Sequence, residues 1–370
     1  MRHSILLLFF LLFATSLFAN CKPEEQVGFR SYNFRIENDY FNNEDSNYTS
    51  GVILSGVTHD FKGDTKNECL PMISRVHGSL LSYIDVDLFK KREGSSKNIY
   101  FTGSQLMYTP VDDKTPTVIK DDRPYAGILS LAVGINERYK NQFDHTQVLN
   151  TKELTLGIIG PASFARQTQN FVHDRFNVYR AKGWDNQLSN EPAVMYMIER
   201  KIKSDLQQNS YTPGISKDLI KSYGIKFGNI ETSFNVGLEG RYGLNIPNDF
   251  GSTPSYPGCD NTAPSPGSSE TCTDKGELML PIPLGAHLFA LAELKGIAYD
   301  FSIDGNIFAN NHHVHREPFV GLIAVGVNSL IPIPGNKNLK LTLTQYIQSK
   351  EFKEQKTADK YVSFTVGLDF

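Results

Sequence analysis

The last eleven residues, KYVSFTVGLDF, set Val362, Phe364, Val366, Leu368 and Phe370 on one face of an extended chain and Ser363, Thr365, Gly367 and Asp369 on the other. Side chains alternate between the two faces of a strand, so this segment is apolar on one side to its final residue and polar or small on the other. Similar runs recur at about 27–38, 48–59, 97–109, 126–139, 152–160, 192–204, 219–229, 232–244, 283–299, 315–329 and 338–350, which makes twelve with the last. Beyond residue 19 no apolar run approaches the roughly 20 residues of a membrane-crossing helix. A membrane location would therefore demand a closed barrel, because hydrocarbon offers no partner for the edge of an open sheet. A soluble β-sandwich also shows alternation broken by turn signals. The aromatic strand ends and the apolar closing strand favour an all-β chain, a twelve-stranded antiparallel transmembrane β-barrel with a short helical insert in an outer loop.

Residues 1–19, MRHSILLLFFLLFATSLFA, combine a basic start, a leucine- and phenylalanine-rich core and a terminal alanine. They read as an export signal, so residues 1–20 are expected to be removed and residues 21–370 to form the barrel domain of the bacterial outer membrane. The stretch LFANC loosely resembles a lipoprotein signal ending at Cys21, and Cys259 and Cys272 bracket a Pro/Gly/Ser-rich loop that a disulfide could close in an exported chain. A formal net charge of -3 without a basic stripe argues against nucleic acid as a partner, and a monomer is expected.

An even strand count leaves both termini on the periplasmic side. The connections at 39–47, 110–125 and 161–191 then emerge outside, whereas 60–96 is periplasmic and long for that side; its GSLLSYIDVDLF portion could form a small interfacial helix. Three unusual stretches fall at those outer ends: IENDYFNNEDSNYTSG, KDDRPYAG at 120–127, and the insert PASFARQTQNFVHDRFNVYRAKGWDNQLSNE. Gln169 and His173 are four residues apart and share one face of a helix. A histidine with its ordinary pKa of about 6.5 can take a proton from water near neutral pH, and Gln169 can position that water or a substrate carbonyl. Asp39 and neighbouring oxygen groups can hold a hard cation such as calcium. Each feature also has an ordinary reading: a polar helix face, a solvated turn, an Arg123 paired with Asp121 or Asp122, and Tyr179 and Trp184 as interfacial aromatics. No Gly-x-Ser-x-Gly elbow supports a serine nucleophile. The residues alone reach an exported barrel with a possible site on its outer face, and leave a small pore, a surface-binding barrel and a soluble hydrolase open.

Taken together, ENDYF…NYTSG, DDRPYAG and GPxSxxxQxQNxxH…GWDNQLxNE resemble the lipid A 3-O-deacylase family of Gram-negative outer membranes, in motif from about Gly28 to Arg200 and in strand pattern to Phe370. The resemblance implies a twelve-stranded barrel with a calcium-dependent esterase site near the outer leaflet, acting on the acyl groups ester-linked at the 3′ position of lipid A within lipopolysaccharide. It places the catalytic histidine at His173, the active-site glutamine at Gln169, the asparagine–aspartate pair of the first strand at Asn38 and Asp39, with Asp39 toward the metal, and the threonine after the first turn at Thr49. An active-site lysine falls near Lys114, and Arg123 joins it as a candidate for substrate binding. A glutamate that follows the histidine in the family has no clear counterpart in HDRFNVY, leaving Asp174 or Glu191 as candidates to orient His173.

Overall fold

The structure is a computed structural model that describes residues 28–39, 47–61, 70, 77–78, 95–141, 146–205, 214–253, 284–335 and 337–370. Twelve strands follow one another: β1 (Phe29–Asn38), β2 (Asn47–Thr58), β3 (Ser96–Thr109), β4 (Ala126–Lys140), β5 (Gln147–Ile159), β6 (Glu191–Asp205), β7 (Ile215–Gly228), β8 (Glu231–Leu244), β9 (Gly285–Asp300), β10 (Phe319–Ile333), β11 (Lys337–Gln348) and β12 (Asp359–Asp369). Each pairs antiparallel with its sequence neighbours, and β1 closes the barrel on β12 in a register running from Ser31 opposite Asp369 to Asn38 opposite Val362. Closure satisfies every strand edge, which the alternating sequence requires if one face meets lipid. The expected strands stand within a few residues of their read positions. The expected export signal, Cys21 and the Cys259/Cys272 pair lie outside the described residues, as does the interfacial segment expected after Gly78.

The alternation resolves into an outer and an inner wall. On β9, Leu288 and Leu294 face out while His287, Phe289, Leu291, Glu293 and Lys295 are buried inside. Charges enclosed in the lumen need partners, since burial without one costs several kcal/mol. Those partners are present: Lys226 with Glu231 at 3.1 Å, Lys295 with Glu293 at 3.7 Å, Arg35 with Glu37 at 3.3 Å, and Arg241 between Asp218 and Asp249. Tyr346 stacks on Tyr361 at 4.6 Å, and Tyr48 meets Tyr361 edge-on at 4.9 Å. The interior is thus filled by side chains, as the inward Tyr, Arg and Glu of the sequence suggest. Toward the periplasmic end, the start of the β8–β9 connection buries Phe250, and Glu239 accepts hydrogen bonds from the Ser252 and Thr253 amides.

Among the described residues, the outer end holds two α-helices. The insert between β5 and β6 contains α1 (Ala165–Phe176), and the β9–β10 connection begins with the single turn α2 (Phe301–Asp304), whose fully buried Phe301 sits edge-on against Tyr108 at 5.6 Å.

Candidate active site

A lumen cavity lined by Thr102, Ser104, Leu106, Ile128 and Ser130 puts the even-numbered residues of β3 and β4 inside the barrel. Gln105, Met107 and Gly127 therefore point outward, and the insert packs on them. Gln105 Nε2 donates to the Ser163 carbonyl at 2.5 Å, Met107 joins Tyr125, Ala165, Ala181 and Trp184 in a buried apolar cluster, and a Cβ on Gly127 would collide with Ser163 and Ala165. The insert thus rests against the lipid side of the wall. Its entry is a tight sequence: Gly160 at φ 94°, a 3-10 turn over Pro161–Ser163, and Phe164 in the left-handed region at φ 59°. Asn177, left-handed at φ 57°, ends α1 and reverses the chain.

On α1 the buried residues are Ala165, Gln169 and His173, a stripe at four-residue spacing turned toward the barrel. Phe171, Val172 and Phe176 are exposed, Phe171 on the side away from that stripe. The sole tryptophan is a wedge and not a belt residue: Trp184 is buried, lies 5.1 Å from the Tyr125 ring and donates from Nε1 to Gln169 Oε1 at 2.6 Å. This bond settles which end of the Gln169 amide is the oxygen and leaves its buried Nε2 with no hydrogen-bond partner among the described residues. His173 Nδ1 lies 2.5 Å from the Tyr179 carbonyl oxygen. A carbonyl can only accept, so Nδ1 carries the hydrogen and the lone pair of the neutral ring is on Nε2. The Tyr179 hydroxyl in turn donates to the Asp113 carboxylate, and Lys114 Nζ stands 5.0 Å from the centre of the Tyr179 ring.

The other predicted residues divide. Asn38, Asp39 and Thr49 meet where β1 passes into β2: Asn38 Nδ2 and the Asp39 amide both donate to the Thr49 carbonyl, at 3.2 and 3.4 Å. Asp39 is fully buried, and the Thr49 hydroxyl contacts that of Thr109, the last residue of β3, at 2.6 Å. Carboxylate, amide and hydroxyl oxygens are the donor types that a hard cation takes. Among the described residues no three His, Cys, Asp or Glu are gathered as a metal set, so this group brings one carboxylate.

Arg123 is fully buried at the outer mouth. It pairs with neither Asp121 nor Asp122; Nη2 donates to Glu351 Oε2 at 2.5 Å, with Tyr108 and Phe352 against the guanidinium. Asp122 instead accepts from the Val111 and Arg123 amides, and burial raises its pKa against those bonds. Nor do the candidates to orient His173 do so in the contacts that define them: exposed Asp174 pairs with Arg180, which lowers its pKa, and Glu191 accepts from Asn229 Nδ2 and the Phe308 amide. The sequence reading missed Asp113 and Tyr179. Their only signal is that both lie in outer connections of a barrel, 66 residues apart.

The model of the family described as outer membrane protein LpxR matches residues 5–370. The chain belongs to this family. It is an outer-membrane protein, as its barrel requires. LpxR from Salmonella typhimurium has the same fold, at a TM-score of 0.62 and 15% identity, covering 92% of this chain and 100% of that one. The β-domain of the Bordetella autotransporter BrkA follows at a TM-score of 0.40 and 8% identity over 93% of this chain and 100% of its own. No curated protein sequence matches the chain.

Proposed function

We propose that this LpxR-family protein is an esterase of the outer leaflet that removes the acyl group ester-linked at the 3′ position of lipid A. The observation that carries the reading is His173: a histidine of fixed tautomer, on a helix docked against the lipid side of the barrel wall. A lipid ester can reach that position by moving sideways in the leaflet, with no passage through the filled lumen.

In this mechanism His173 Nε2 takes a proton from water as the water oxygen attacks the ester carbonyl. The tetrahedral intermediate collapses, the sugar oxygen leaves with the proton returned by His173, and a free carboxylic acid and 3′-O-deacylated lipid A result. Trp184 holds the Gln169 amide by its oxygen and so fixes that side chain on the face of α1 that carries His173. Asn38 and Thr49 orient the substrate at the strand ends, and exposed Lys114 offers a cation to the anionic headgroup. Asp39, with Asn38 and Thr49, would hold calcium, whose charge when bound stabilises oxygen-centred negative charge. Arg123 serves by tying the outer connections together, because its guanidinium is fully buried and bonded to Glu351.

The test is mass spectrometry of lipid A from cells expressing the chain. Loss of the mass of one 3′-linked acyl group or acyloxyacyl unit is expected; unaltered lipid A from cells with folded protein in the outer membrane would overturn the reading.

A further inference from the structure

Among the described residues, what holds the His173 imidazole is a main-chain carbonyl and not a carboxylate. That carbonyl is fixed from several directions. Left-handed Asn177 turns the chain so that the amides of Asn177 and Val178 both close on the His173 carbonyl, and this reversal brings the Tyr179 carbonyl back to His173 Nδ1 at 2.5 Å. The Tyr179 side chain extends from that point to Asp113, where its hydroxyl donates to the carboxylate. Asp113 is itself a fixed post. Its own main-chain oxygen accepts from the Tyr125 hydroxyl at 3.2 Å and from the Lys182 amide at 2.8 Å, binding it to the DDRPYAG turn and to the returning end of the insert.

The Asp113 side chain is buried, and its Oδ2 has no hydrogen-bond partner among the described residues. A buried carboxylate with one oxygen unmatched is costly for an outer loop that could have left it in water. Burial raises its pKa, with the Tyr179 hydroxyl pulling the other way. Such an arrangement is accounted for if the carboxylate holds something whose placement matters. The ring it holds carries, on its main chain, the acceptor for His173.

We infer that Asp113 and Tyr179 are positioning residues for His173: the Asp113 carboxylate holds the Tyr179 hydroxyl, and the Tyr179 carbonyl holds Nδ1–H of the imidazole. The inference rests on the proposal that His173 is the base. It assigns the orienting role to a residue pair that Asp174 and Glu191, engaged elsewhere, leave open. A neutral carbonyl fixes the tautomer and ring direction. Among the described residues, the charged groups facing this assembly are Asp113 and Asp174, which couple to His173, with Lys114 over the Tyr179 ring and Arg180 paired to Asp174.

The experiment compares purified, folded Tyr179→Phe, Asp113→Ala, Asp113→Asn and the Asp113→Ala/Tyr179→Phe double variant on lipid A at matched calcium, with His173→Ala alongside. Trp184 emission reports whether the insert stays docked, because the only tryptophan is bonded to Gln169 on α1. Tyr179→Phe and Asp113→Ala should each lower kcat by about tenfold, the lower end of what losing a histidine's orienting partner costs, with KM within about twofold. Asp113→Asn keeps an oxygen acceptor for the tyrosine and should recover most of kcat, while the lost negative charge moves the acid limb of the kcat profile to lower pH. The double variant should be no slower than the worse single, since both break one chain of contacts. Wild-type kcat in Tyr179→Phe and Asp113→Ala, or additive losses in the double variant, would overturn the relay. If His173→Ala is inactive in that case, the esterase reading stands without it; if His173→Ala is also fully active, the reading of His173 as the base falls first.

Discussion

Replacing Arg123 with methionine separates a structural arginine from a substrate-binding one. Methionine keeps an apolar stem but removes the charged group that lies against Tyr108 and Phe352. The guanidinium is fully buried, and Glu351, whose side chain is 11% exposed, loses its cation at 2.5 Å. Breaking a buried pair from one side costs about 3–5 kcal/mol, mostly the penalty of the carboxylate left behind. The slight exposure of Glu351 argues for the lower end, about 3 kcal/mol. The expected consequence is a lower urea midpoint for Arg123→Met in lipid vesicles, followed by Trp184 emission, and recovery of most of the loss in Arg123→Met/Glu351→Gln. A midpoint within about 0.5 kcal/mol of the parent, together with a KM for lipid A raised tenfold or more, would refute this reasoning and return Arg123 to the substrate.

Three further outcomes follow from the same geometry. Gly127→Leu should leave the barrel heat-modifiable on a gel but displace the insert and abolish deacylation, because its side chain would occupy the space of Ser163 and Ala165. Chelation should stop ester cleavage and calcium should restore it better than magnesium, which demands a more regular shell; Asp39→Ala should behave as the chelated protein does, and full activity in excess chelator would remove the metal. The third concerns His77, which lies against Tyr196 at 6.1 Å with neither ring nitrogen hydrogen-bonded among the described residues. Burial, helped by Lys152, lowers its pKa from 6.5 to about 4. The folded state therefore favours neutral His77: its contribution is complete above pH 6.5, declines as pH falls, and is lost by about pH 4, a total on the order of 3 kcal/mol. A urea midpoint that falls equally over this window in the parent and in His77→Phe would contradict it.

The fold was legible because lipid outside and a packed lumen inside impose a period of two on every strand, so β1 to β12 could be read within a few residues each. The α1 stripe was legible for a similar reason, since Gln169 and His173 obey the helical period. The rest depends on which connections meet above the barrel. Asp113 reaches Tyr179 across 66 residues and Arg123 reaches Glu351 across 228, and no local pattern couples such positions. Local reasoning offered Arg123 either the substrate or the aspartates beside it, whereas the turn points Asp122 at main-chain amides and sends the arginine inward. Trp184 shows the same limit: an aromatic in an outer loop suggests a membrane belt, yet Gly183 leaves no Cβ in the way of Tyr125, and the indole is buried beside that ring.

The central claim is that His173 is the base, and it is tested most directly by lipid A deacylation with purified, folded His173→Ala at matched calcium. Loss of a general base typically costs about 100- to 10,000-fold in turnover. The predicted result is a kcat reduced within that range, with heat-modifiable mobility and Trp184 emission like the parent. A His173→Ala protein that is folded, docked and within a small factor of wild-type turnover would contradict the account.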